Sequence, residues 1–497
     1  MNLTLSLGID DGAAAKKKRK VRDGGVDDVG GGAGAVRGGE RGSGVARLLQ
    51  ARDEDYRMVK AEEGYDDGGG NGMSGTSSDG TGLELVQLLL SAVAAGEVGD
   101  VHAAAAALQE VYRRASFHGG DPAQRVAGYY ADELASRLTG LRSSLVRPSA
   151  PPATRAERFL SFTMFYQASP FYQFAHFTAN QAIVEAFQAG GRRRLHVVDF
   201  DVSYGFQWPS LIQSLSDAAA AASSSHDDGG CDGPVSLRIT GFGASADELR
   251  ETEARLARFA AGCHNLRFEF EGILSGSNSL HDRIKVDDDA TVVVNLVFPA
   301  TQNAPTSSRE PCAATMAYIH SLNPSMVFLI EKHDDDGGDG DGLTGGHNAT
   351  TRRSASLLPR FAANLRYFAA VFDSLHECLP ADSAERLAIE RNHLGREISN
   401  AVASFDDHSH GAGDHHEAAE KTSWKETMES AGFEGMRLSS RAVSQAKLLL
   451  KMKSGYGGSS GGGFRVVVEG DGGVMALSLA WRDVALLTAT EWRRRCR

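Results

Sequence analysis

The alternation of apolar and polar positions divides the chain into stretches of different period. From Leu83 onward the pattern is helical: LELVQLLLSAVAAG and VHAAAAALQEVYRRA are rich in Leu and Ala, two of the best helix formers. Val126 to Leu141, Phe159 to Tyr166 and Phe171 to Phe187 predict three further helices. The period then shortens. LHVVDF (195–200), VSLRITG (235–241), LRFEFEG (266–272), TVVVNLV (291–297) and SMVFLIE (325–331) read as strands, and the last two are almost continuously apolar, as strands covered on both faces are. Between them lie helical patterns. The clearest is SADELRETEARLARFAAG, where Ser245 and Glu248 predict a capping box and Gly262 the helix end. Strand alternating with helix five times predicts right-handed crossovers and a doubly wound, Rossmann-like, mostly parallel α/β sheet. Long helical segments fill Leu357 to Met452. After the Gly/Ser run GYGGSSGGG, the strands FRVVVEG and MALSLAW with a turn at Asp471–Gly473 predict a closing antiparallel hairpin.

Residues 1–82 carry none of this periodicity. They hold 20 of the 57 glycines and only two aromatics, Tyr56 and Tyr65. Such a segment buries too little apolar surface to offset its chain entropy, so a disordered Gly-rich arm is expected. The expected organisation is therefore an arm over 1–82, a mainly helical cap over 83–190 and an α/β core over 191–497. Low-complexity loop insertions are expected at 217–234, 333–347 and 406–418.

Composition narrows the function classes. No run approaches the ~18 apolar residues of a membrane span, and Asp10 and Asp11 interrupt the opening MNLTLSLGIDD too early for a secretory signal. Five widely spaced cysteines without a C-x-x-C argue against a disulfide scaffold or cysteine zinc finger and for a reducing compartment. The formal net charge of -12 suggests no continuous basic face. Inside the arm, however, Lys16, Lys17, Lys18, Arg19 and Lys20 form a dense cationic run. That is the composition of a nuclear import signal, read by an acidic receptor groove.

Several patterns resemble chemistry and do not hold. The turn after the first strand, VVDFDVSYGFQW, sits where an open α/β sheet places its ligand crevice. A methyltransferase-type sheet would need glycines there for S-adenosylmethionine to approach; Asp201 and Ser203 replace two of them, and Tyr204 and Phe206 crowd the loop. The second strand ends in Thr240–Gly241–Phe242, without a carboxylate for ribose hydroxyls. GDGLTG (340–345) lies among aspartates that repel a pyrophosphate. The G-x-S-x-G match at Gly458, Ser460 and Gly462 lies in a Gly/Ser run, not a strand-to-helix turn. His408, His410, His415 and His416 gather in an acidic stretch with nothing to fix a coordination geometry. No catalytic constellation, cofactor or metal is expected.

From about Leu83 to the C-terminus the chain resembles the plant GRAS family of transcriptional regulators. LHVVDFDVSYGFQWPSLIQSL is similar to the family's VHIID block, with His196, Val197, Val198 and Asp199 at the motif itself. The segment from Leu83 resembles the leucine-rich region. Arg360 to Ala403 resembles the PFYRE-type block, closest at Leu394–Gly395–Arg396–Glu397–Ile398. Trp481 and Trp492 match the SAW-type ending, with Thr490–Glu491 where Ser-Ala is usual. Within the family the VHIID block looks most like the nodulation-signalling-pathway 2 branch. The resemblance implies an α/β core under an α-helical cap, acting in the nucleus through another GRAS protein and other transcription factors, with promoter DNA reached through them. Direct sequence-specific DNA binding stays open as an alternative, and a small-molecule methyltransferase is the third reading. Leu83, Leu85, Val86, Leu88, Leu89, Leu90 and Val93 occupy more than one side of a helix. The surplus faces either other cap helices or a partner, and the resemblance favours a partner, with Leu85, Leu88 and Leu89 as anchors.

Overall fold

A computed structural model describes residues 77–117, 120–138, 153–224, 234–275, 284–298, 310–333, 357–380, 382–405, 424–454, 463–470 and 475–495. The cationic run at Lys16–Lys20, the aspartate-rich G-x-G-x-x-G, the histidine stretch and the G-x-S-x-G match all lie outside the described residues.

Five helices come first: α1 (Ser77–Glu97), α2 (Val101–Arg114), α3 (Pro122–Leu138), α4 (Arg155–Ala168) and α5 (Pro170–Gly190). Their ends follow from local chemistry. Thr154 and Glu157 exchange side-chain and backbone hydrogen bonds in a capping box that starts α4. Ser169 caps α5 with Pro170 in its first turn, and Gly191 ends it in the left-handed conformation at φ 60°. The parallel strands follow: β1 (Arg194–Asp199), β2 (Val235–Gly243), β3 (Leu266–Leu274), β4 (Ala290–Val297) and β5 (Met326–Lys332), with α6 (Trp208–Ser224), α7 (Ala246–Ala260) and α8 (Glu310–Ser321) between them. Next come α9 (Leu358–Cys378), α10 (Ala384–Ile389), a π-helical turn (Glu390–Leu394), α11 (Gly395–Ser404), α12 (Trp424–Ser430), β6 (Phe433–Met436) and α13 (Ser440–Ser454). The strands β7 (Phe464–Glu469), β8 (Ala476–Trp481) and β9 (Val484–Arg494) close the chain.

The strands form one sheet in the order β3-β2-β1-β4-β5-β9-β8-β7, with β6 also on β9. β1 to β5 run parallel and β9 runs antiparallel to β5. Alternate residues feed two apolar layers. Leu195, Val197 and Val293 face the larger core and Val198, Val294 and Leu296 the smaller one, so the central strands are apolar throughout.

The expected architecture holds, with four corrections. The closing antiparallel group has a third strand: β9, absent from the expected hairpin, is the one that joins it to the parallel sheet. Its mixed sequence, VALLTATEWRR, shows no clean alternation because apolar residues from it enter both cores, Leu486, Leu487 and Ala489 the larger and Trp492 the smaller. The cap is not confined to 83–190. α5 packs on β4, β5 and β9, while α9 and α11 pack on α3. Residues 217–224, expected in a loop insertion, prolong α6, since a run of five alanines favours helix. Finally, Ser245 caps α7 through the Glu248 N–H, but Glu248 turns to Arg158 at 3.6 Å instead of completing the box; Gly262 follows the C-cap Ala261 at the helix end, as expected.

Candidate functional site

The sheet order reverses between β1 and β4, and ligands of such folds bind beyond the strand ends at that point. Here a polar chain of the protein's own side chains occupies the position. Asp199, the last residue of β1, accepts from Asn295 Nδ2 of β4 (3.2 Å) and from the Asp201 N–H (3.3 Å). Asn295 and Gln207 exchange amide hydrogen bonds at 3.2 Å in both directions. Gln207 also donates to Asn180 Oδ1 of α5 (3.1 Å), and Asn180 donates back to the Gln207 carbonyl (2.8 Å). The chain thus ties β1, β4 and α5 to the loop over 200–207. Burial pushes the Asp199 carboxyl up to about 7, against the Asn295 hydrogen bond.

That loop is closed by packing. Val202 lies against β2, where a Cβ on Gly241 would meet Val202 Cβ at 2.9 Å. Tyr204 and Phe206 enter an aromatic cluster with Phe159, Phe162 and Tyr166, at ring separations of 5.0–5.8 Å. Ser203 takes a left-handed φ of 46°, a place where a nucleotide-binding turn uses glycine. S-adenosylmethionine does not fit these residues: the space over Gly241 is taken by Val202, and the Asp199 carboxyl is spent on Asn295.

A second network lies at the end of β5. Lys332 Nζ donates to both oxygens of Glu397 at 3.0 Å and sits 5.1 Å from the centre of the Phe298 ring. Tyr172 Oη and His393 Nε2 share a hydrogen bond of 2.9 Å. Burial would raise the Glu397 carboxyl, but Lys332 and His393 outweigh it and hold it below the ordinary range. Burial drives His393 down to about 4 and Tyr172 well above 10. Both rings are therefore neutral near pH 7 and unsuited to proton transfer there. Behind this network Glu390 accepts from Arg125 Nε (3.0 Å) and Arg386 Nη1 (3.0 Å), all three side chains being buried. Arg125 also donates to the Gly120 carbonyl.

The residues singled out in the sequence fall into place unevenly. Val197 and Val198 are core on opposite faces of β1. His196 is buried, shares a 2.9 Å hydrogen bond with Thr240 Oγ1, and is driven to about 4 by burial. Trp481 donates to Asp373 Oδ2 at 2.7 Å, and Trp492 donates to Thr490 Oγ1 at 2.9 Å. Thr490, an apparent departure from the family ending, thus satisfies the indole beside it. Leu85 and Leu89 are 0% exposed, enclosed with Val86 and Val93 in the larger core, while Leu88 and Leu90 are half-buried against it. The apolar surplus of α1 is taken up by its contacts with α2, α3 and α9. Leu85 and Leu89 are therefore structural and not surface anchors. Asn180, Asn295, Tyr172, Lys332 and the Arg125–Glu390–Arg386 triad were not singled out. The one available signal was Asn295, a polar break inside the run TVVVNLV.

The model of the GRAS domain family matches residues 85–493. Protein SCARECROW of Ipomoea nil is 31% identical over 422 residues, which are 84% of this chain and 47% of that protein. Scarecrow-like protein 23 of Arabidopsis thaliana is 31% identical over 422 residues, 83% of this chain and 90% of that protein. The crystal structure of SCL7 in Oryza sativa superposes with a TM-score of 0.59 at 30% identity, covering 82% of this chain and 99% of that one. The chain spans about half the length of the SCARECROW protein it matches. Among the described residues no helix is long and apolar enough to cross a membrane.

Proposed function

This chain belongs to the GRAS domain family, and from that premise we propose that it is a nuclear transcriptional regulator working through protein partners rather than through catalysis. The observation that carries this reading is the filled crevice. Where a catalytic relative of the fold would hold its cofactor, Val202, Tyr204 and Phe206 pack into the protein itself. A fold gives no function by itself, and this one serves as a rigid scaffold for its outer surfaces.

The partner is another GRAS protein, which brings the pair to promoter DNA, with other transcription factors joining. The contact lies at the turn that joins the leucine-rich helices α1 and α2, where Val98 is 80% and Val101, the first residue of α2, 46% exposed. Entry to the nucleus uses the run from Lys16 to Lys20. The similarity of the block from Val197 to Asp217 supports a role in nodulation signalling or a related hormone response.

Tethering the full chain to a reporter promoter in plant cells, with capture of its nuclear partners, tests the reading. Changed reporter output together with a captured GRAS protein supports it. Micromolar binding of S-adenosylmethionine by calorimetry would return the chain to the enzymes. Strongly salt-dependent binding of one DNA sequence by the purified chain would favour direct recognition. Replacing Lys17, Lys18 and Arg19 with alanine should shift a fluorescent fusion toward the cytoplasm, and an unchanged distribution would refute the import assignment.

A further inference from the structure

Among the described residues the sheet ends on β7, which is bonded there to β8 alone. Its register fixes which main-chain groups point outward. The Arg482 N–H donates to the Gly463 carbonyl, so residues 463, 465, 467 and 469 turn their main chain toward β8. Phe464, Val466 and Val468 turn theirs away, toward an edge with no partner strand among the described residues. Natural edges are usually guarded by proline, bulges or inward charges. This one carries three consecutive valines between one cation and one anion, and Val468 is 42% exposed.

The sequence of the strand, FRVVVE, is complementary to its own reverse. If a second copy is laid antiparallel about a two-fold axis at Val467, Val466 faces Val468 and Arg465 faces Glu469, each twice. The outward-turned residues 466 and 468 then form the hydrogen-bonded pairs. The 465/469 pairs become the non-hydrogen-bonded ones, whose side chains approach most closely. Backbone parity and charge complementarity are met in one register, which is also the self-complementary arrangement a symmetric dimer requires. α13 packs against β7, and its Leu448 and Met452 are 55% and 49% exposed.

We propose that the protein self-associates edge to edge through β7, joining the sheets of two copies of this chain into one. The contact is independent of the leucine-rich helices, so either can fail without the other.

The test is sedimentation velocity on the full chain from about 1 to 100 µM, the range in which a modest interface declares itself. A concentration-dependent monomer–dimer equilibrium is expected. Arg465→Glu and Glu469→Arg each place like charges opposite one another and should weaken association by about tenfold. The double variant R465E/E469R restores opposite charges and should recover the original affinity. Arg465 also pairs with Asp483 at 3.3 Å within the chain, so Glu469→Arg serves as the arm free of that loss. Native melting of each variant shows that the fold is kept. A chain that stays monomeric throughout, a dimer indifferent to both single changes, or a folded double variant without recovery would each overturn the proposal.

Discussion

Asp199→Asn is the most informative single perturbation of the crevice. The wild-type carboxyl is pushed up to about 7 from an ordinary 3.8, burial being the main cause. A carboxyl with a raised folded value holds its proton in the native state where the unfolded chain has already lost it. Its contribution is therefore greatest below pH ~4 and declines as pH rises through the folded value near 7. Between pH 5.5 and 8 the wild type should lose ~2 kcal/mol from this group alone, about one and a half pH units of unequal proton uptake at ~1.4 kcal/mol each. The amide keeps an oxygen for the Asn295 and Asp201 donors and never ionises, so the variant escapes the loss. Other titrating groups are common to both proteins and cancel in the difference, apart from Asp201, whose own carboxyl, raised by burial to about 6, lies close by. For a domain of roughly 400 residues the unfolding entropy is ~0.8 kcal/mol/K, so ~2 kcal/mol corresponds to ~2–3 °C. Thermal melts at pH 5.5, 6.5, 7.5 and 8.5 should show the variant gaining on the wild type by that amount across the series. Parallel curves would mean that Asp199 is ionised throughout and that the crevice is wetter than its packing implies.

Three further expectations follow from the same interior. Glu390→Gln leaves Arg125 and Arg386 buried without their shared counter-charge and should cost ~3–5 kcal/mol, whereas Glu434→Gln, which breaks the exposed pair with Arg493, should cost no more than ~1 kcal/mol in the same melts. Glu491 is raised to about 7 by burial and by Glu185, so Glu491→Gln should stabilise the protein above pH 7 and make little difference near pH 4; equal effects at both pH values would refute it. Leu85→Asp with Leu89→Asp should unfold the cap by circular dichroism, since both side chains are fully enclosed, and a folded double variant would refute that packing.

What could be read from the sequence was what rests on local period. β4 and β5 announced themselves as apolar runs, and helix α7 by its capping serine. β9 was missed because a strand that feeds apolar residues to both faces, Leu487 to the larger core and Trp492 to the smaller, need not alternate. The leucines of α1 were legible as surplus apolar surface but not as surface or core. Their neighbours are α2, α3 and also α9, more than 250 residues away in the chain, and no local pattern records which side these helices cover. The crevice was half legible. The loss of glycines and the crowding by Tyr204 and Phe206 were visible, while the closure by Asn295 and Asn180 depended on side chains from β4 and α5 meeting across the loop.

The placement of the family blocks carries a consequence for where function sits. His196, Val197, Val198 and Asp199 are internal, Trp481 and Trp492 spend their indole N–H groups on Asp373 and Thr490, and Glu397 of the PFYRE-type block is held by Lys332. These motifs mark joints between sheet and cap. Arg125 from α3 reaches Glu390 in the π-turn, and about two helical turns later Glu397 reaches Lys332 at the end of β5, so cap and sheet are fastened through a single stretch of chain. A residue so fastened cannot also present itself to a partner without undoing buried ion pairs, at a cost of several kcal/mol. Under the proposed function, discrimination between partners falls to outward positions rather than to these fastened residues, among them Val98 and Val101 of the leucine-rich segment and Leu448 and Met452 of α13.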